Sequence, residues 1–178
     1  MRRHASVLLL LPLVAAGCTE TAVTFPCPGT PVALVALSGP LTQVGCAAGI
    51  PAAGMNAIYP ATVSFSGTIA YAGSGAALCD IGPSAEPLVG TQVADAIDVT
   101  LETRGALLGA CNARCAVTVR QQLTGTLRRG PLGAPSSFDG TLTDTASVDA
   151  SVTGADCTPC TTPCQATYQL TGVATGTR

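Results

Sequence analysis

Five stretches of this chain alternate apolar and polar residues one by one, and a period of two restricts them to β-structure. In the first, Val63, Phe65, Ile69 and Tyr71 share a face, with Ser64, Ser66 and Thr68 on the other. In the second, Ile97, Val99 and Leu101 oppose Asp98, Thr100 and Glu102. The third and longest sets Val117, Val119, Leu123 and Leu127 against Thr118, Arg120, Gln122, Thr124, Thr126 and Arg128. The fourth sets Phe138, Leu142, Ala146 and Val148 against Asp139, Thr141, Thr143, Thr145, Ser147 and Asp149. The last sets Ala166, Tyr168 and Leu170 against Gln165, Thr167, Gln169 and Thr171. A helical period fits none of them as well. Threonine dominates the polar faces, and its branched Cβ suits a pleated, solvated surface. The continuous apolar run Val32–Leu37 reads as a sixth strand, buried on both faces.

Gly67, Gly125 and Gly140 fall in the apolar phase of their strands. Glycine there marks a bulge, a bend or a close approach of backbones, and its recurrence points to a sheet that coils tightly, as barrels do. Asp144 also falls in the inward phase, so either a bulge shifts the register or an acid faces the interior; the bulge is the preferred expectation. Loops are expected over Gly39–Pro60, Gly73–Val93, Gly105–Arg114, Arg129–Ser137 and Gly154–Pro163. The expected fold is therefore all-β: an antiparallel β-sandwich or small β-barrel with long, disulfide-stapled loops.

The 178 residues suffice for one domain. Charged residues are only 10 % and hydrophobic ones 47 %, which excludes a disordered charged tail. There is no basic surplus and aromatic residues are 3 %, which argues against a nucleic-acid partner. From Thr19 onward six Arg face ten Asp and Glu, a mildly acidic balance without a strong steering field.

The first residues read as an address. Arg2, Arg3 and His4 precede an apolar run from Val7 to Ala16, and small residues follow. A basic start, a short apolar run and a small-residue cleavage site make a secretory signal, and the run is shorter than the ~20 residues that span a bilayer. The segment Leu13-Val14-Ala15-Ala16-Gly17-Cys18 resembles the lipobox of bacterial lipoproteins, departing from it in having Ala15 where that family prefers Leu. The resemblance covers the leader alone. It implies cleavage before Cys18, lipidation of Cys18 and a membrane partner through the lipid anchor. Thr19, in place of the Asp that favours inner-membrane retention, implies the outer membrane, with the domain periplasmic or surface-exposed. The expected organisation is a signal peptide over 1–17, a lipidated tether over 18–31 and a single disulfide-rich β domain over 32–178.

Nine cysteines are an odd number. Setting Cys18 aside as the lipid carrier leaves Cys27, Cys46, Cys79, Cys111, Cys115, Cys157, Cys160 and Cys164, enough for four disulfides in an oxidising compartment. Their connectivity stays open, since eight cysteines allow 105 pairings. The cluster Cys157, Cys160 and Cys164 has spacings that zinc accepts, and Cys157-Thr-Pro-Cys160 matches the spacing of a thioredoxin-like redox pair. No helix pattern follows it to lower a thiol pKa, so structural disulfides are the expectation and metal ligands are not.

The only His is His4, within the leader, so the mature chain lacks His, Lys and Trp. That removes Ser-His-Asp and Cys-His catalysis, Schiff-base lysines and His-held metals. Asp95, Asp98 and Glu102 form one acidic group and Asp139, Asp144 and Asp149 another; both are read as solvated carboxylates. Asp98 and Glu102 lie about 13 Å apart along a strand, too far for a paired-carboxylate mechanism. Asp139–Asp144 lacks the alternating ligands of a calcium loop. No catalytic residues, metal or cofactor are expected. The functional expectation is an outer-membrane-anchored lipoprotein with a non-enzymatic structural or protein-interaction β domain and an envelope protein as partner. The alternative is a small-ligand-binding β-barrel carrier of the cell envelope.

Overall fold

The computed structural model describes residues 27–45, 59–80, 86–107, 111–158, 160 and 162–177. Eight strands follow one another: β1 (Thr30–Val44), β2 (Thr62–Ala72), β3 (Gly75–Asp80), β4 (Leu88–Val93), β5 (Ala96–Leu107), β6 (Ala116–Arg129), β7 (Pro135–Val148) and β8 (Cys164–Gly176). Each pairs antiparallel with the next, and β8 returns to β1, closing an up-and-down barrel. Closure decides for the barrel over the sandwich and leaves no outer strand without a neighbour.

All five alternating stretches are strands, with the apolar phase inside except at Val148, which is 40 % exposed at the end of β7. Tyr168, Phe138, Leu37, Ile69, Leu123, Leu127 and Leu170 are the bulkiest fully buried side chains. An eight-stranded barrel encloses just enough space for side chains to fill it. The interior glycines provide that space. A Cβ on Gly140 would lie 2.6 Å from the Thr124 carbonyl oxygen and 2.7 Å from Phe138 Cε1. One on Gly67 would lie 2.6 Å from the Cys79 carbonyl oxygen. These are close approaches of backbone and ring, the reading that recurrent in-phase glycine allows.

The structure differs from the sequence reading at several places. Val32–Leu37 is not buried on both faces: Ala33, Val35 and Leu37 point in, while Leu34 is 43 % exposed. The run was uniformly apolar because its outward positions carry small or aliphatic residues. The strand also continues to Val44, into the stretch expected as a loop. The expected loop Gly73–Val93 contains β3 and β4. β3 has no alternation to detect, because Ala76, Ala77, Leu78 and Cys79 are all buried. Ala70 and Ala77, paired across β2 and β3, lie in the outward phase yet are covered. The disulfide from Cys79 to Cys27 fastens the segment before β1 to β3. β5 runs to Leu107, and β7 begins at Pro135, each extending into an expected loop.

The preferred bulge at Asp144 is also overturned. Gln121↔Asp144 and Asp144↔Ala166 continue the ladders on both sides without a register shift, so the acid faces inward. Real shifts occur elsewhere, between Thr103 and Ala106 and between Arg128 and Arg129.

The up-and-down path sorts the connections. Three tight turns, at 73–74, 94–95 and 130–134, lie with the start of β1 and the end of β8 at what is here termed the turn end. The strand ends that the longer connections 45–61, 81–87, 108–115 and 149–163 join lie at the opposite, loop end.

Candidate functional site

Two arrangements of polar and sulfur-bearing residues occupy the loop end. In the first, Cys115 bonds Cys157 and Cys111 bonds Cys160, joining the β5–β6 and β7–β8 connections. Cys115 and Cys157 are buried with Val117 and Ala146 in a small second core. Hydrogen bonds order the loops around them: Asn112 Nδ2 donates to the Thr158 carbonyl at 2.6 Å, and the Thr158 N–H donates to Asp156 Oδ1 at 2.9 Å. Asp149, 3 % exposed, accepts from the N–H of Ser151 at 2.9 Å, from the Ser151 hydroxyl and from the N–H of Gly105 at 2.9 Å. The Ser151 hydroxyl, with help from its N–H and that of Gly105, holds the Asp149 carboxyl below the usual range. Asp149 is thus a loop clamp, not the solvated carboxylate that the sequence led one to expect.

The second arrangement lies inside the barrel. Asp144 faces Gln121 across the sheet, with Tyr168 and Tyr59 close enough to feel its charge. Burial pushes the Asp144 carboxyl up, and a hydrogen bond from Gln121 opposes that; no second carboxylate contributes. Asp144 Oδ1 and the Tyr168 hydroxyl are buried without a hydrogen-bond partner. The Tyr59 hydroxyl donates to the Cys164 carbonyl at 3.1 Å, and burial pushes its pKa to about 12. Tyr59 is 4 % exposed and closes the core at this end. As one of the chain's six aromatics it is expected in the core, but its position among Pro, Ala and Ile in a long connection carries no periodic signal to place it at this end.

Outside, an open groove of about 450 Å³ crosses β4 to β8, lined by Thr91, Asp98, Thr124, Thr126, Asp139 and Thr141. Its carboxylates are engaged. Gln122 Nε2 donates to Asp98 at 2.8 Å, and Arg128 Nε donates to Asp139 at 3.2 Å.

The cysteines fall as follows. Cys27 pairs with Cys79, Cys111 with Cys160 and Cys115 with Cys157, and Cys164 is disulfide-bonded too. The cluster from Cys157 to Cys164 therefore reaches out to other strands and does not pair within itself as a redox motif would. Cys18 and Cys46 lie outside the described residues. The acids of the two sequence groups are dispersed: Asp95 is bound by Arg129, Asp98 and Glu102 are exposed, and Asp139, Asp144 and Asp149 have the separate surroundings given above.

The fold and its staples define a disulfide-stapled, eight-stranded up-and-down β-barrel. Comparison of the chain with protein-family models, curated proteins and solved structures finds no match.

Proposed function

We propose that the chain is a lipoprotein of the bacterial envelope, lipidated on Cys18 and held at the outer membrane. Its barrel is a non-enzymatic structural or protein-interaction module with an envelope protein as partner. The observation that carries the barrel's role is its filling: interior positions are taken by the protein's own Tyr168, Phe138, Leu123, Leu127, Leu170 and Ile69, all essentially without solvent access. The outward faces of the strands carry Thr, Ser, Asp, Gln and Arg, the reverse of a barrel that crosses lipid with apolar residues outside. The paired sulfurs support an oxidising compartment. The intact mass of membrane-extracted protein, with and without reduction, tests the reading. Diacylglyceryl and acyl mass on a chain beginning at Cys18, lost in Cys18→Ser, supports it; an unmodified chain refutes the anchor.

A second reading, a carrier of a small ligand inside the barrel, is favoured by one observation. Like the Tyr71 hydroxyl, Asp144 Oδ1 and the Tyr168 hydroxyl are buried without a hydrogen-bond partner, and an unmet polar group costs about 1–3 kcal/mol. A ligand offering a donor and an acceptor would satisfy both. Native mass spectrometry of the purified protein separates the readings: a stoichiometric bound small molecule, released on unfolding, favours the carrier, and its absence favours the filled module.

A further inference from the structure

The two ends of the barrel differ in what their tips expose. At the turn end, the β6–β7 turn is Gly-Pro-Leu-Gly-Ala, with Leu132 98 % exposed. The neighbouring β4–β5 turn presents Val93, 78 % exposed, beside exposed Ala94 and Ala96. The charges between them cancel: Arg129 grips Asp95 through Nε at 2.9 Å and Nη2 at 2.7 Å. That pair ties the two turns together. Arg129 Nη1 also donates to the Gly133 carbonyl at 3.0 Å, and the Gly130 N–H donates to the Ala134 carbonyl at 2.8 Å. The apolar tip is thus held in shape before it meets anything, which lowers the entropy cost of binding. At the loop end Leu107 is 70 %, Val148 40 % and Val152 38 % exposed, and they stand with the ion pairs Glu102–Arg104 and Arg114–Asp156 and with exposed Glu86. Charged groups resist entry into hydrocarbon, whereas Leu and Val enter with gain.

The length of chain before the barrel says what covers the tips. Cys18 precedes Cys27 by nine residues, which reach at most about 30 Å. Cys27 is bonded to Cys79, four residues along β3 from Gly75 and so about 13 Å from the turn end by strand rise. A barrel tethered this closely lies against its membrane, and the turn end is the one that presents the two most exposed large apolar side chains, Leu132 and Val93.

We propose that the turn end docks on the lipid surface, with Leu132 and Val93 entering the headgroup–acyl boundary beside the anchor. The proposal rests on the lipoprotein reading for the tether and goes beyond it in assigning an orientation. The absence of native Trp makes the test direct. The full chains carrying Leu132→Trp, or Leu107→Trp at the loop end, are produced in a bacterial host, extracted from membranes and reconstituted into phosphatidylethanolamine–phosphatidylglycerol vesicles, with and without brominated acyl chains. The intact mass reports the lipid on Cys18 in the same sample. The expected result is emission at 132 that moves to shorter wavelength and is quenched by brominated lipid, while emission at 107 stays as in water. Lipid on Cys18 without quenching at 132, or quenching at 107 instead, overturns the docking and leaves the anchor standing. Quenching at 132 without lipid overturns the anchor and supports the docking; neither signal overturns both.

Discussion

Gly140 stands opposite Gly125 across β6 and β7, and the Phe138 ring occupies the space that side chains there would need. A methyl at Gly140 meets the Thr124 carbonyl as well as the ring, so neither backbone nor side chain can give way alone. Gly140→Ala is expected to destabilise by about 1–3 kcal/mol, the usual cost of overpacking, read as a lower urea midpoint. Asp144 is the opposite case, a residue whose native state is costly. Its folded pKa is raised by burial, so the folded protein binds more protons than the unfolded chain above the ordinary carboxylate value. Stability therefore falls as pH rises from about 4 through the folded pKa. Asp144→Asn removes that slope and is expected to melt higher than the parent at neutral pH, with the two converging near pH 4 in calorimetry. Asp95 and Asp149 run the other way. Their carboxyls are held low, chiefly by Arg129 and by Ser151, so the stability they contribute is full above about pH 4 and is lost as pH falls through their folded values.

The strands and their staples set the next scale. Thr-faced alternation was legible because inside and outside differ in chemistry at each step of β5 to β8. It was not legible in β3, where both phases are apolar and buried. Nor was it legible in β4, where Gly90 takes an inward position against Val99. The bridges differ in what they constrain. Cys27–Cys79 spans 52 residues, and by loop-closure entropy it is worth about 4 kcal/mol. Cys111–Cys160 is nested around Cys115–Cys157, so once the inner bridge is closed it completes only the short ring through Cys111–Cys115 and Cys157–Cys160. Its removal is expected to cost about 2–3 kcal/mol, less than removal of Cys27–Cys79, when paired Cys→Ala variants are unfolded in guanidinium.

For the whole molecule, closure and filling go together. Side chains from all eight strands converge on one cluster, with Tyr59 closing the loop end and Phe138 lying deeper. A filled interior predicts that the folded protein does not take up an apolar dye such as anilinonaphthalene sulfonate; fluorescence enhancement at native pH with one-to-one saturation is the contrary outcome and speaks for the carrier. Closure also sorts the connections: the strand ends joined by the four long ones, two of which are stapled by Cys111–Cys160 and Cys115–Cys157, lie at one end, and three short turns lie with both termini of the barrel at the other. On the proposed reading, a partner protein meets the first and a lipid surface the second.

The amino-acid order alone determined the β class, six of the eight strands and the pairing of sulfurs as staples, because apolar patterning and cysteine usage are local properties read within a few residues. Tertiary structure decided closure into a barrel, the partners of the cysteines, the inward place of Asp144 and the burial of Asp149. Each of these depends on which distant backbones meet, and inward phase within a single strand does not say what stands across the barrel from it.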